Sequence, residues 1–314
     1  MDKHTKIYVA GHSGMVGSAI IRRLESDGYK NIVTRTHEKL DLLRQDDVDD
    51  FIAAERPEVI FLAAAMVGGI MANAGNPADF LYRNTQIQNN VMSAARRRSV
   101  EKFVFLGSSC VYPRDCPQPI KEEYFLTGPF EPTNEGYAIA KIAGMKLCAY
   151  LAGEGAWECV SVVPCNLYGP GDNFDPGGSH VMAALVKRFA DAADSGQKRV
   201  VCWGTGTPRR EFLHADDLAR GIMMLAKKNP YGSEPVNIGY GSDMTIRELA
   251  DIIARKTGFH GEIIWDASKP DGMPRKLMDT ARARAIGFVP EISPEMGIQM
   301  FIDDYRRLSG LQKR

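Results

Sequence analysis

Residues 11–17 read Gly-His-Ser-Gly-Met-Val-Gly, directly after the short apolar run Ile7 to Ala10 and directly before Ser18-Ala19-Ile20-Ile21. Three glycines at this spacing, placed between a strand and a helix, constrain the fold more than any other feature of the chain. The backbone must turn tightly there, and a helix must begin with its N–H groups and dipole unobstructed, the arrangement that receives a pyrophosphate. As turn residues alone, Gly11, Gly14 and Gly17 would carry no ligand; the strand before them and the helix after them favour the phosphate cradle.

The alternation continues beyond the loop. Apolar runs at Ile32 to Thr34, Val59 to Ala64, Lys102 to Gly107 and Cys159 to Val163 predict strands, separated by helices near 15–27, 44–55, 77–98 and 134–152. Pro77 and Thr133 stand where helices start. Such βαβ alternation predicts an α/β fold, a Rossmann-type doubly wound parallel sheet covered on both faces. The second half is less regular. Gly169-Pro170-Gly171-Asp172 and Asp175-Pro176-Gly177-Gly178 predict a long loop, followed by a helix from about 179 to 193 and a strand at Arg199 to Trp203. A further strand is expected at Val236 to Ile238, with helices near 245–257 and 293–308. No repeat or flexible tether is evident, so a smaller C-terminal α/β domain is expected to be interleaved with the first. We expect residues 1–168 plus about 212–240 to bind a dinucleotide, and 169–211 plus 241–314 to bind substrate. The long helices at 77–98 and 134–152 suit either sheet cover or a dimer interface.

Composition narrows the partners. Lys plus Arg (39) equals Asp plus Glu (39), so no net charge draws the chain to nucleic acid or a membrane surface. An anionic substrate needs a local basic cluster instead. The longest apolar runs, such as Val59 to Val67, fall short of a membrane span, and no signal-peptide core follows Lys6. Cys110, Cys116, Cys148, Cys159, Cys165 and Cys202 contain neither Cys-x-x-Cys nor a zinc-type spacing. The expectation is a cytoplasmic protein with reduced thiols and no metal.

At the end of the second strand, where an NAD enzyme usually carries an acid for the ribose 2′-hydroxyl, the chain has Thr34-Arg35-Thr36-His37. A cation there suits a 2′-phosphate and hence NADP; Arg35 as a plain surface residue is the alternative. Asp41 suits either the adenine amino group or a helix cap. The fourth strand ends Leu106-Gly107-Ser108-Ser109-Cys110-Val111-Tyr112-Pro113, and Tyr137-Ala138-Ile139-Ala140-Lys141 follows later. On a helix, i and i+4 share a face, which sets the Lys141 ammonium beside the Tyr137 phenol. A cation beside the phenol, with a cationic nicotinamide, is expected to lower its pKa from about 10 toward neutrality and ready it for proton transfer at a carbonyl.

The glycine loop, the serine-rich strand end and Tyr-x-x-x-Lys, in that order, resemble the short-chain dehydrogenase/reductase superfamily in its extended, nucleotide-sugar form. Pro132-Thr133-Asn134, Asn166-Leu167-Tyr168-Gly169-Pro170 and Arg210-Glu211-Phe212-Leu213-His214-Ala215-Asp216-Asp217 strengthen that resemblance. More closely, Ala63-Ala64-Ala65-x-Val67-Gly68-Gly69-Ile70, Glu131 to Gly144, Ser179-His180-Val181 and Asp266 to Gly272 resemble the GDP-L-fucose synthases, and the similarity runs from residue 6 to beyond 305. It implies conversion of GDP-4-keto-6-deoxy-D-mannose by C3/C5 epimerisation and then NADPH-dependent reduction of C4, in a homodimer. Carried over residue by residue, it implies Ser108, Tyr137 and Lys141 for reduction, Cys110 as epimerisation base and His180 as acid. Cys110 as a small packing residue, and His180 as a helix-start residue, are the plain readings of those two alone.

The same resemblance implies cofactor contacts at Gly11, His12, Ser13, Gly14, Met15, Val16 and Gly17, at Arg35 and Asp41, and at Ala63 and Ala64. It adds Leu106, Gly107, Ser108, Tyr137, Lys141, Pro164, Asn166, Leu167 and His180 to these, and Arg188, Trp203, Arg210 and Asp279 for the GDP-sugar. Ser13, His37 and Met66 depart from the family pattern. The first two remove expected 2′-phosphate partners, so NAD(H) as a weaker or dual cofactor enters beside NADP(H). The alternatives in activity are a GDP-L-colitose-type synthase, which inverts C5 only and reduces C4, and another NAD(P)-dependent nucleotide-sugar epimerase.

Overall fold

The computed structural model describes residues 1–98, 100–175, 177–269 and 271–310. Pro176 and Pro270, within two of the segments singled out above, lie outside the described residues. In chain order the first half runs β1 (Ile7–Ala10), α1 (Met15–Ser26), β2 (Ile32–Val33), α2 (Gln45–Glu55), β3 (Val59–Leu62), α3 (Ile70–Gly75), α4 (Pro77–Arg96), β4 (Lys102–Leu106), α5 (Glu135–Gly153) and β5 (Glu158–Pro164). The second half runs β6 (Asn166–Tyr168), α6 (Val181–Asp194), β7 (Arg199–Trp203), β8 (Arg209–Arg210), β9 (Phe212–His214), α7 (Ala215–Lys227) and β10 (Val236–Ile238). It ends with β11 (Met244–Thr245), α8 (Ile246–Thr257), β12 (Glu262–Asp266), β13 (Arg275–Lys276), α9 (Ala281–Ala285) and α10 (Pro294–Leu308).

Six strands form one parallel sheet in the order β10-β5-β4-β3-β1-β2. Every residue of β1 and β3 is buried, which is why their sequences, Ile-Tyr-Val-Ala and Val-Ile-Phe-Leu, show no polar alternation. Helices α2, α4 and α5 pack in sequence on one face and α1 with α7 on the other. Between β1 and β3 the winding reverses direction, and a crevice opens there beyond the carboxyl ends of the strands, where ligands of such sheets bind.

Two hydrophobic clusters stand apart. The first is the sheet and its helices; it takes in residues from Ile7 to Cys165 and again from Leu213 to Phe288. The second joins α6, α8 and α10, with Val186, Phe189, Leu249, Ile253 and Phe301 at its centre, beside the parallel pair β7 and β12. The chain therefore passes from one cluster to the other more than once.

The predicted elements form with ends shifted by a residue or two. The structure adds α7, whose residues the sequence analysis treats only as a family element. His214 caps it, Nδ1 accepting from the Asp216 N–H at 3.2 Å, and Asp216 and Asp217 fill its acidic first turn. The structure also adds α3, α9, β12 and the two-residue strands β8, β11 and β13, the last three joined in the order β11-β8-β13. Residues 169–179 contain no helix or strand among those described, in keeping with their Gly-Pro content.

Candidate active site

A cleft of about 1270 Å³ lies between the two clusters and draws its walls from both. At one end lies the glycine loop. Gly11 has φ +80, and a Cβ there would stand 2.6 Å from the Ala64 nitrogen, so only glycine lets β1 end against Ala63 and Ala64. At Gly17 a Cβ would stand 2.0 Å from the Gly11 carbonyl oxygen, which packs the first turn of α1 onto the loop. Gly14 differs. It is the N-cap of α1 with no side chain to cover the helix end, and a Cβ there would meet only the Gly11 oxygen at 3.5 Å. Together with Ser13, Met15, Val16 and Gly17 it lines the cleft, so this cradle is open where an anion would sit. That geometry fits a dinucleotide pyrophosphate.

Arg35, His37, Asp41, Ala63 and Ala64 line the cleft with the glycine loop, and Leu106, Gly107, Pro164, Asn166 and Leu167 line it too. Arg35 is already engaged: Nη2 meets Glu55 Oε1 at 2.5 Å, Nη1 donates to the Thr34 carbonyl at 2.8 Å, and the guanidinium lies 5.0 Å from the Phe51 ring centroid. Asp41 Oδ1 accepts from the Leu43 N–H at 3.0 Å, closing a turn ahead of α2. His12 is not among the residues lining the cleft; its side chain lies in a shallow dent with Ser18, Ile21, Arg22 and Thr34, where the tight turn from Gly11 carries its backbone against Gly17.

At the centre, Ser108, Cys110, Tyr137 and Lys141 share the cleft wall with His180. Lys141 is buried, and its Nζ donates to the Leu106 carbonyl at 2.8 Å, tying α5 to the end of β4. One turn earlier, the Tyr137 ring centroid is 5.7 Å from that Nζ. Ser108 caps a turn of 3-10 helix over Ser109–Val111, its Oγ accepting from the Cys110 N–H at 3.4 Å, and this turn sets the Cys110 thiol into the cleft beside it. His180 is the N-cap of α6, half exposed, with Nδ1 at 3.9 Å from Asp172 Oδ1. Its loop is fixed from across the cleft: the Gly69 N–H donates to the Gly178 carbonyl at 3.0 Å, and a Cβ at Gly69 would stand 2.7 Å from the Ser179 oxygen. Met66, also on the wall, is held through its backbone, Asn84 accepting from its N–H at 2.8 Å and donating to its carbonyl at 3.0 Å.

In the protein alone burial, followed by the nearby Cys110, holds the Tyr137 phenol above its ordinary value; the lowering expected from the sequence also drew on a cationic nicotinamide. Burial also pulls Lys141 down to about 8, with Cys110 opposing. The Cys110 thiol is likewise raised by burial, against the pull of Lys276, the Ser108 hydroxyl and Lys141.

At the far end stand Arg188, Trp203 and Arg210. Arg188, on α6, donates to the Val201 carbonyl; Trp203, at the end of β7, is 54% exposed, with the Lys269 ammonium 5.9 Å from its ring centroid. Arg210 Nη1 donates to the Arg209 carbonyl at 2.8 Å, and burial lowers its pKa against the attraction of Asp271 and Glu131. Asp279 is not among the residues lining the cleft: its N–H donates to the Ile120 carbonyl at 2.8 Å and its Oδ1 accepts from the Ala281 N–H at 2.8 Å, closing the turn ahead of α9. Sequence reasoning missed Lys276, which lines the cleft from β13 among the residues around Cys110. Its only sequence signal was the basic pair Arg275-Lys276 just after the Asp266 to Gly272 segment.

Comparison with known proteins decides the family. A model described as the NAD dependent epimerase/dehydratase family matches residues 7–239. A GDP-L-fucose synthase of Arabidopsis thaliana is 51% identical over 304 residues, which is 97% of this chain and 94% of that one. The chain belongs to this family, in its GDP-L-fucose synthase group. A GDP-L-colitose synthase of Yersinia pseudotuberculosis is more distant, 40% identical over 294 residues, 93% of this chain and 95% of that one. Among solved structures, a GDP-mannoheptose C4 reductase from Campylobacter jejuni with NADP bound superposes with a TM-score of 0.89 at 34% identity, covering 98% of this chain and 99% of that one. Membership explains why the segments around Gly11, Ser108, Tyr137 and His180, far apart in sequence, converge on one cleft.

Proposed function

We propose that the protein converts GDP-4-keto-6-deoxy-D-mannose to GDP-L-fucose, inverting C3 and C5 and then reducing C4, with NADP(H) as cofactor. The observation that carries this reading is that one cleft holds a thiol and an imidazole as well as the Ser-Tyr-Lys set. A reductase alone needs only the latter.

The C4 ketone makes the protons on C3 and C5 acidic. Cys110, as thiolate, removes each proton, and the electron pair moves to the C4 oxygen. His180 returns a proton to the other face and so inverts the carbon. Ser108 donates to the C4 oxygen throughout. The raised pKa of Tyr137 keeps its phenol protonated, the form that gives the C4 oxygen its proton during reduction. Lys141 holds the phenol in position from its bond to Leu106. When bound, NADPH supplies the hydride that C4 takes up. Residues 11 and 13–17 would hold its pyrophosphate, Arg35 its 2′-phosphate, Asp41, Ala63 and Ala64 its adenosine end, and Leu106, Gly107, Pro164, Asn166 and Leu167 its nicotinamide end. Arg188 and Arg210 suit the GDP diphosphate, which each arginine can bond through two N–H groups.

Three further parts belong to the proposal. The first hydrophobic cluster defines the dinucleotide-binding domain and the second the sugar-nucleotide domain, with Met278 to Phe288 assigned to the first because they pack there. The functional unit is a homodimer joined through the long helices α4 and α5, which carry the exposed Tyr82 (66%) and Tyr150 (65%). The enzyme works in the cytoplasm with free thiols; no helix among the described residues is long and apolar enough to cross a membrane.

The test mixes the protein with GDP-4-keto-6-deoxy-D-mannose and NADPH in deuterium oxide. Loss of NADPH absorbance with deuterium at C3 and C5 of GDP-L-fucose is the expected result. Cys110→Ser should abolish deuterium uptake yet still reduce the C4 ketone slowly. Turnover confined to the 3-deoxy substrate, or no NADPH oxidation with either sugar, would refute the proposal.

A further inference from the structure

We propose that the Asp172 carboxylate holds the His180 imidazole by its Nδ1–H, so that Nε2 is the atom that delivers the proton to C3 and C5. The inference rests on the reading of His180 as the epimerisation acid and gives that acid its orientation.

His180 is fixed through its backbone and not through its ring. On one side the Gly69 N–H holds the Gly178 carbonyl; on the other the His180 carbonyl accepts from the Ala184 N–H at 2.9 Å, opening α6. Although His180 is the N-cap of α6, its side chain accepts no hydrogen bond from the helix, so the ring is not spent on capping. A half-exposed imidazole on a fixed stem still turns about its side-chain bonds, and its two nitrogens are chemically distinct. Delivering a proton to one face of a sugar needs one of them in a defined place.

Asp172 is anchored at the other end of the same loop. Its N–H donates to the Gly169 carbonyl at 3.2 Å, and its Oδ1 accepts from the Asn173 N–H at 2.8 Å. Just before it, Gly171 at φ +86 packs on the start of α1, where a Cβ would stand 3.3 Å from the Met15 nitrogen. The Asp172 side chain is only 4% exposed, and among the described residues its Oδ2 meets no hydrogen-bond donor. A carboxylate so buried is costly unless a cation or a donor joins it. Among the described residues the one basic nitrogen within ion-pair reach is His180 Nδ1, 3.9 Å from Oδ1. That separation is longer than a hydrogen bond and closes with a small turn of the ring, as catalytic contacts tighten around bound substrate. His180 lines the cleft and Asp172 does not, which places the carboxylate behind the ring. In the step itself the electron pair on the C4 oxygen re-forms the carbonyl, and C3 or C5 takes the proton from Nε2. The neutral ring keeps Nδ1–H on Asp172, and solvent restores the Nε2 proton. Asp172 never touches the sugar. It is a positioning residue for the acid.

Two readouts separate this role from that of a loop residue. In deuterium oxide Cys110 can return a deuteron to the face it came from, whereas inversion needs His180. Asp172→Asn keeps an oxygen for the Asn173 N–H and removes the charge. It should slow inversion at C3 and C5 about tenfold to a hundredfold, the loss of one hydrogen bond to a charged group. Recovered GDP-4-keto-6-deoxy-D-mannose of unchanged configuration should still gain deuterium, and reduction of the already inverted 4-keto sugar should change by less than about twofold. The second readout is the imidazole itself, in full-length protein labelled with nitrogen-15 at histidine and held at about pH 8.5, where an imidazole is neutral. The His180 ring of the parent should carry its proton on Nδ1, and Asp172→Ala should shift it toward Nε2. A parent ring protonated on Nε2 overturns the proposal whatever the variants do. Parental inversion in an Asp172→Asn or Asp172→Ala protein that melts like the parent overturns it too, as does an equal loss of inversion and same-face exchange. The reading of His180 fails separately, if His180→Gln still inverts both carbons at the parental rate.

Discussion

Replacing Arg35 by Ala tests how this chain recognises its cofactor. Arg35 is the one cation expected to meet the 2′-phosphate, since Ser13 is neutral and His37 is 73% exposed on its side chain. A hydrogen bond to a charged group contributes about 1.5–3 kcal/mol. Two features place Arg35 at the lower end. Its side chain is 36% exposed, so water screens the contact, and Glu55 already occupies Nη2 at 2.5 Å while Lys6 holds the other Glu55 oxygen at 2.8 Å. About 1.4 kcal/mol remains, a factor of roughly ten in dissociation constant. Fluorescence titration at fixed ionic strength with NADPH and with NADH measures it. Arg35→Ala should weaken NADPH about tenfold and NADH by less than about twofold. Glu55→Gln, which keeps Arg35 but removes its competing carboxylate, should raise the NADPH-to-NADH preference a few-fold, roughly in line with a surface ion pair. Equal weakening of both cofactors by Arg35→Ala would refute the reasoning, because it would mean that Arg35 acts through its stack on Phe51 and not through phosphate.

Two more predictions follow from the site. Lys141 is cationic below its depressed value of about 8 and neutral above it, so kcat/KM for NADPH-dependent reduction should fall as pH rises through about 8. In Lys141→Arg, whose charge persists beyond pH 12, that fall should be absent from the pH profile even if the rate is lower. Gly17→Ala places a Cβ 2.0 Å from the Gly11 oxygen, backbone against backbone, and should destabilise the fold by about 1–3 kcal/mol. Thermal melting with and without NADPH should show a lower Tm and a smaller cofactor-induced rise; a normal NADPH-induced rise would mean that the loop does not bind the pyrophosphate.

The sheet was legible because β1, β3, β4 and β5 are buried along most of their length and read as short apolar runs, while the helices between them are longer. The convergence of Gly11 and Ser108 followed from their places just after β1 and β4, and Tyr137 and Lys141 share one face of α5. What could not be read were features with no period. β8, β11 and β13 have two residues each, too few for any pattern, and their pairing brings Lys276 to the cleft. His12 stands inside the cradle in sequence but turns out of it, since the side on which a tight turn sets a side chain depends on the neighbours of Gly11 and Gly17. Asp279 follows β13 closely, yet its side chain closes the turn ahead of α9. Tyr137 shows the same: spacing reports that a lysine is near, but not that the site is buried or that the lysine is bonded to the Leu106 carbonyl.

The proposed reaction makes a double demand on the cleft. On that reading epimerisation needs Cys110 as a base, whereas reduction needs Tyr137 as an acid, and both groups line the one cleft. Burial raises both, which suits the phenol and opposes the thiol. The neighbouring charges act unequally: Lys276 and then Lys141 pull the thiol down, whereas Cys110 is the ionisable group that shifts the phenol, and it raises it. Burial would thus keep the acid protonated while the two cations favour the base, a division that a glycine loop and a Tyr-x-x-x-Lys pair alone do not make.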